Sequence, residues 1–354
     1  MYKLEIVEKC EEVAVVHYVD ERGTWGTKGR KILFRKPSEK GWQIIAKFPF
    51  VWEDLFSWNR LVSRALRIEK CIVYPTESGK LLGIRKGKVY DLSAGSAREL
   101  FSIQGRAPLL RGVASSADGE LFFGEYLSNK ERGPVNIWVV RSDLSSYRKA
   151  YIFPSGSIRH IHGLYSDPFK PERIWVTTGD LNGESYIWYS DNSFKTIEKI
   201  GDGTQLWRAV GLLFTEEAVN WFTDTNLADN YFVSMNRKSM KAEILFNVDN
   251  STLYSCKTTD GYYIASTIVE EGEFIKSNKA TIKVSKDCLN WESVLSFEKD
   301  KYSKVYFGFG VISFSMGYFS SNEIWISGNG FLELEGRSGL FSMDNDMKNF
   351  MERK

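Results

Sequence analysis

The chain has 354 residues, with 47 basic against 45 acidic side chains, a balance that gives no electrostatic ground for binding nucleic acid or an anionic membrane surface. The opening MYKLEIVEKCEEV lacks the apolar stretch of a signal peptide, and no apolar run approaches the roughly 18 residues needed to cross a bilayer, so the expectation is a soluble, cytoplasmic monomer. Cys10, Cys71, Cys256 and Cys288 are too scattered for a zinc knuckle or a redox pair and read as free buried thiols, while 14% aromatics favours strands and carbohydrate-stacking surfaces.

In chain order, residues 2–48 form an irregular first unit, with DERGTWGTKGRK (Asp20–Lys31) as a Gly-rich insertion. FVWEDLFSWNR (Phe50–Arg60) reads as a connector holding one helical turn. Further units cover 61–103, 109–153, 157–200, 206–246, 252–297 and 306–344. Each opens with apolar alternation, turns on Asp, Gly or Pro, and resumes the alternation, which is the hairpin signature. A third strand follows, such as NIWVV, YIWYS, YFVSM or ATIKV.

The end of each unit repeats. RSDLSSYRKAYIF (Arg141–Phe153), SMNRKSMKAEILF (Ser234–Phe246) and SKDCLNWESVLSF (Ser285–Phe297) align without gaps, and YSDNSFKTIEKI (Tyr189–Ile200) fits with one residue fewer. The copies start about 45–51 residues apart, the period of propeller blades. The fold expected is all-β, a single domain over 1–354: a seven-bladed β-propeller of four-stranded antiparallel blades, with six blades and an appendage as the other count. Asp143, Asn236 and Asp287 should accept hydrogen bonds from backbone amides in these turns, and Tyr147 and Trp291 should be largely buried.

Ser, a spacer, Asp and then an aromatic resembles the Asp-box (BNR) turn of the sialidase-like propellers, best in SKDCLNW at Ser285–Trp291 and more loosely over 109–297. That resemblance implies the propeller fold and a place among hydrolases, lyases and pure binding proteins. Sialidases pair a tyrosine nucleophile with a glutamate, which Tyr254 or Tyr126 with Glu125 or Glu270 could mimic. Propeller lyases of uronates use His, Tyr and Arg, sometimes with a metal, and the set of His160, His162, Tyr254 and Arg208 is similar in kind.

In a four-stranded blade the inner strand starts, and the second strand ends, on the same face. Those positions across blades ring one mouth of the propeller, where ligands favour binding. Inner-strand starts offer Arg111, His160, His162, Gln205, Arg208 and Tyr254; second-strand ends offer Glu125, Asp180, Asp224 and Glu270; Tyr126 lies just beyond. His160 and His162, two of the three histidines, are spaced to share one strand face.

Three readings follow. In one, His160, His162, Asp180, Asp224, Glu125 and Tyr254 carry acid–base chemistry on an acidic oligo- or polysaccharide, with Arg111, Arg208, Gln205, Glu270 and Tyr126 binding it. In another, His160, His162 and Asp180 hold a divalent metal ion. In the third, the charges only pair with one another. A non-catalytic propeller that binds a glycan or a protein partner is the rival from another class. If the imidazoles serve the site alone, alanine in their place leaves stability nearly unchanged; if they point between blades and each is capped by a carbonyl or buried hydroxyl, alanine destabilises by roughly 1–3 kcal/mol.

Overall fold

The structure is a computed structural model and describes residues 2–37 and 39–343. The seventh unit's expected last residue, 344, lies outside the described residues. The strands assemble into seven sheets, and the fold is a seven-bladed β-propeller of antiparallel blades with almost no helix. No helix among the described residues is long and apolar enough to cross a membrane.

Two compact units divide the chain. Lys70–Asp249 holds four blades, each built in chain order. Its second blade has strands Val113–Ser115, Leu121–Gly124, Val135–Val140 and Tyr147–Phe153. The third has Ile161–Ser166, Ile174–Thr178, Ser185–Ser190 and Glu198–Gly203, and the fourth Leu213–Phe214, Ala218–Phe222, Asn230–Asn236 and Ala242–Val248. Second strands such as IWVTT are buried throughout because blades cover both of their faces, so Thr177 and Thr178 are buried along with the apolar residues. Outer strands expose one face. Phe122, Val139, Phe153, Leu164, Val176 and Phe194 pack the second blade on the third, and Trp175, Trp207, Val219 and Trp221 pack the third on the fourth.

The other unit contains residues 2–69 and 250–343. The first unit read from the sequence is corrected here. Glu5–Cys10 is not part of its sheet but the outer strand of the last blade, paired with Arg337–Ser342, so the chain ends are joined in one sheet. The first blade proper starts at Val15–Asp20 and carries a fifth, two-residue strand, Met316–Gly317, in parallel. The Gly-rich stretch is no insertion: Gly23–Lys28 is a regular second strand, with Gly29 at φ 60° turning the chain into Lys31–Arg35. The connector does coil, into a 3-10 turn at Trp52–Phe56 and a short helix at Arg60–Ala65. All four cysteines are free and buried.

The repeated turns have the expected chemistry. The side-chain oxygen of Asp143 accepts from the Ser145 amide, that of Asn236 from Lys238 and Ser239, and that of Asp287 from Leu289 and Asn290 at 2.9 and 2.8 Å. These amides, and the Asn290 side chain and Ser285 hydroxyl, hold the Asp287 carboxyl well below the usual range. Asp191 does something else: it pairs with Arg173 and Lys170. Burial of the aromatics is corrected. Trp291 is half-buried, and Tyr147 is 46% exposed because it starts an outer strand, where one ring face stacks on Phe101 and the other meets water. Asp287→Ala should lower the unfolding free energy in urea by about 1 kcal/mol, the usual cost of a lost cap. A loss below a few tenths would remove the turn from the account of stability.

Candidate functional site

The site is built from three neighbouring blades of one compact unit, Lys70–Asp249. Its centre is Asp180, two residues past the strand Ile174–Thr178. Gly179, at φ 141°, turns the chain there, and a Cβ on it would lie 2.5 Å from Ser185 Oγ. The Gln205 side-chain amide and Arg208 both donate to the Asp180 carbonyl at 3.2 Å, and the Thr225 hydroxyl donates to the Gln205 side-chain oxygen. Gln205 therefore positions the backbone of Asp180.

His160 and His162 both reach the Asp180 carboxylate, but not through simple alternation. The pairing of Ile161–Ser166 with Ile174–Thr178 slips between Ile161 and Gly163, so His162 is the extra residue of a β-bulge, and a bulge re-aims its side chain. His160 precedes the strand. Nδ1 of His160 lies 2.8 Å from the Leu127 carbonyl and Nδ1 of His162 lies 2.9 Å from the Ala209 carbonyl, one neighbouring blade for each ring. A carbonyl only accepts, so each Nδ1 carries the hydrogen and each Nε2 is turned inward. Those Nε2 atoms stand 3.5 and 3.3 Å from Asp180 Oδ1. The rings are 4% and 3% exposed. Of the two outcomes expected for alanine, the geometry favours the second: the imidazoles bridge blades, and removing either should strand a buried carbonyl at roughly 1–3 kcal/mol.

Two guanidiniums complete the cluster. Arg159 donates to Asp180 Oδ2 at 2.8 Å, and Arg208 lies 3.4 Å from Oδ1 and 3.8 Å from Asp224. The tilted Tyr126 ring sits 4.3 Å from the His160 ring. Burial alone would raise the Asp180 carboxyl, but its contacts with His160 and His162 outweigh that and hold it far below the usual carboxylate range. Burial pushes the Tyr126 phenol up, and the negative charges of Asp180 and Asp224 reinforce the effect, so it keeps its proton at neutral pH. Nε2 of His160 and Nε of Arg208 are buried without a hydrogen-bond partner. The donor atoms of His160, His162 and Asp180 lie within 4.8 Å of one another and could hold a metal ion.

Of the residues expected here, His160, His162, Asp180, Arg208, Asp224, Tyr126 and Gln205 come together. Glu125 does not. Its carboxylate is fully buried and spent on the amides of Gln104 and Asn136, the Asn136 side chain and the Trp138 indole, which leaves it no free oxygen for chemistry. Arg111 sits in a left-handed turn at φ 70°, where its charge is felt by the Tyr165 hydroxyl. Tyr254 and Glu270 belong to the other compact unit; Tyr254 is buried in Thr252–Lys257, and the Glu270 carboxylate accepts from the Ser251 hydroxyl. Arg159 was missed, although it directly precedes His160 in a blade's inner approach. Arg132 and Glu184 form a bidentate pair at 2.6 and 3.0 Å that ties two of the loops together.

No protein-family model matches the chain, and no curated protein matches it. Solved structures do. A family 74 glycoside hydrolase, a xyloglucanase from Xanthomonas campestris, superposes with TM-score 0.60 at 13% identity over 94% of this chain; the chain spans about half of that protein, 53%. YCF48 bound to a D1 peptide gives 0.54 at 10% identity, covering 97% of this chain and 96% of that one. An oligogalacturonate lyase from Vibrio parahaemolyticus gives 0.51 at 9%, covering 84% and 83%. At such identities the likeness is one of fold, and it defines the class: a β-propeller.

Proposed function

We propose that the chain is a carbohydrate-active propeller that cleaves an acidic, uronate-containing glycan by elimination at the His160–His162–Asp180 cluster. The observation that carries this reading is the anchoring of each imidazole Nδ1 on a backbone carbonyl, which turns both Nε2 atoms inward. Both carboxylates nearest the centre face arginine, which favours their charged form. Hydrolysis of a glycoside calls for a carboxylic acid kept protonated to donate to the leaving oxygen. This cluster instead offers an imidazole Nε2 as proton acceptor and the Tyr126 phenol as proton donor, the pair that elimination uses.

The step balances with these groups alone. Nε2 of His160 or His162 takes the proton from C5 of a uronate, the electron pair forms the C4–C5 double bond, and the C4–O bond breaks. The departing oxygen takes a proton from Tyr126. Arg159 and Arg208 stabilise the charge that builds on the uronate carboxylate. Xyloglucanase and oligogalacturonate lyase are among the named propellers of similar fold, which supports a glycan as substrate. A non-catalytic propeller binding the same glycan is the second reading, since the same anchoring also ties both imidazoles into the bridging of blades.

The test is incubation with oligogalacturonate, alginate and glucuronan fragments. Ultraviolet absorbance reports the unsaturated uronate, and a reducing-end assay reports any cleavage. The wild type should release unsaturated ends, and His160→Gln or His162→Gln should lower the rate by about 10²-fold or more. Reducing ends without absorbance would make it a hydrolase; binding without either would make it a lectin-like module.

A further inference from the structure

We infer that His160, His162 and Asp180 form a binding site for one first-row divalent cation, with Nε2, Nε2 and Oδ1 as ligands. A ring whose Nε2 ligates an ion has no lone pair left to serve as base, so the ion's binding stands apart from the elimination reading above and is tested without substrate. The donor set comes first. Both Nδ1 atoms are fixed on backbone carbonyls, so in the neutral rings both Nε2 lone pairs and the Asp180 Oδ1 lone pairs meet at one point. Three acceptors facing one another are stabilised by a positive centre among them, a metal ion or a proton on one ring. Histidines that bind a metal are held in this same way, with the remote N–H given to a carbonyl.

The distances agree. Two donors each about 2.1 Å from one ion at a tetrahedral angle stand about 3.4 Å apart; the two nitrogen–oxygen separations match this at 3.5 and 3.3 Å, and all three donors lie within 4.8 Å of one another, so an ion would draw the two rings together. Arg159 occupies Oδ2, which orients the carboxylate and leaves Oδ1 toward the histidines. The buried Nε2 of His160, which makes no hydrogen bond, is a second and separate observation pointing into the site. Two imidazoles and one carboxylate suit zinc, cobalt, iron or manganese, and three protein ligands leave positions open for a substrate carboxylate. Charge points the same way. Asp180 and Asp224 cancel Arg159 and Arg208, so a cation restores the net positive charge that an anionic glycan needs.

The experiment needs no substrate. Chelator-treated protein is dialysed at neutral pH against Zn²⁺ or Mn²⁺ alone, and bound metal is measured by mass spectrometry. The chain has three histidines, and His17 is fully buried elsewhere, so background uptake is low. One equivalent should bind, and His162→Gln and Asp180→Asn should each weaken binding by at least the 10–100-fold typical of losing even an outer-shell partner. Both substitutions are conservative in size, near-ultraviolet circular dichroism checks their fold, and the wild-type result stands without them. No stoichiometric uptake of either ion by the wild type would overturn the inference, as would uptake unchanged in both folded variants. Cleavage of a uronate glycan by chelator-treated protein would leave the proposed function standing whatever the uptake shows; stoichiometric uptake without glycan turnover would uphold the metal site and overturn the proposed function.

Discussion

Acidification from pH 7 to pH 4 should destabilise the fold through His17 by several kcal/mol. His17 is fully buried, its Nε2 lies 2.8 Å from the Thr27 hydroxyl, and burial pushes its imidazole down to about 3. In the unfolded chain the ring titrates near 6.5. Between these values the unfolded state holds a proton that the folded state refuses, so stability rises with pH across that window and is lost as pH falls through it. At about 1.4 kcal/mol per unit the full window amounts to about 5 kcal/mol, of which about 3 kcal/mol falls above pH 4. Carboxylates add their own acid sensitivity, so the comparison is with His17→Gln, which has no such proton. Urea unfolding at pH 7 and pH 4 should show a drop in the wild type larger than in the variant by about 3 kcal/mol. Equal drops would mean that His17 is hydrated or charged in the folded protein.

Asp180→Ala should have the other large effect. The carboxylate neutralises Arg159 and Arg208, and Arg208 is buried with Asp224, at 3.8 Å, as its remaining counter-charge. Removing one partner of a buried pair costs about 3–5 kcal/mol, because the other charge is left uncompensated. Partial exposure of Asp180 and Arg159 puts the expectation near the lower end, about 3 kcal/mol. Asp180→Asn should cost less, since it retains shape and one acceptor oxygen. Denaturant midpoints of the two variants check this. An alanine variant within about 0.5 kcal/mol of wild type would mean that water replaces the carboxylate and that the cluster is open rather than buried.

The fold was legible because a propeller repeats its local instructions. Hairpin patterning and capped turns recur in SKDCLNW and its degenerate copies, and the capping by Asp143, Asn236 and Asp287 follows from side-chain chemistry within three residues. The errors lie where structure depends on distant partners. Glu5–Cys10 has the pattern of any strand, and nothing local says that it pairs with Arg337–Ser342. Gly-rich DERGTWGTKGRK reads as a loop by propensity, yet its strand is held by neighbours on both sides.

The site was half legible for the same reason. Blade topology placed His160, His162, Asp180, Arg208 and Asp224 at matching ends of strands, and they do meet. The bulge at His162 left no mark in the sequence, since a bulge is a register slip and not a residue type. Glu125 met the positional rule but is consumed by the Asn136 and Trp138 side chains of its own blade, partners visible only once the strands are paired. Arg159 falls outside the strand alternation because it acts from the approach to the strand.

The most direct test of the central claim, that an acidic glycan meets the protein at His160 and His162, is a nitrogen–proton correlation spectrum of the imidazoles. Three histidines give three ring systems, so assignment by single glutamine variants is complete. Titration with a uronate oligosaccharide should shift the His160 and His162 resonances together and saturably, with His17 unmoved. Resonances of His160 and His162 that stay fixed at saturating glycan, or a shift confined to His17, would contradict the account.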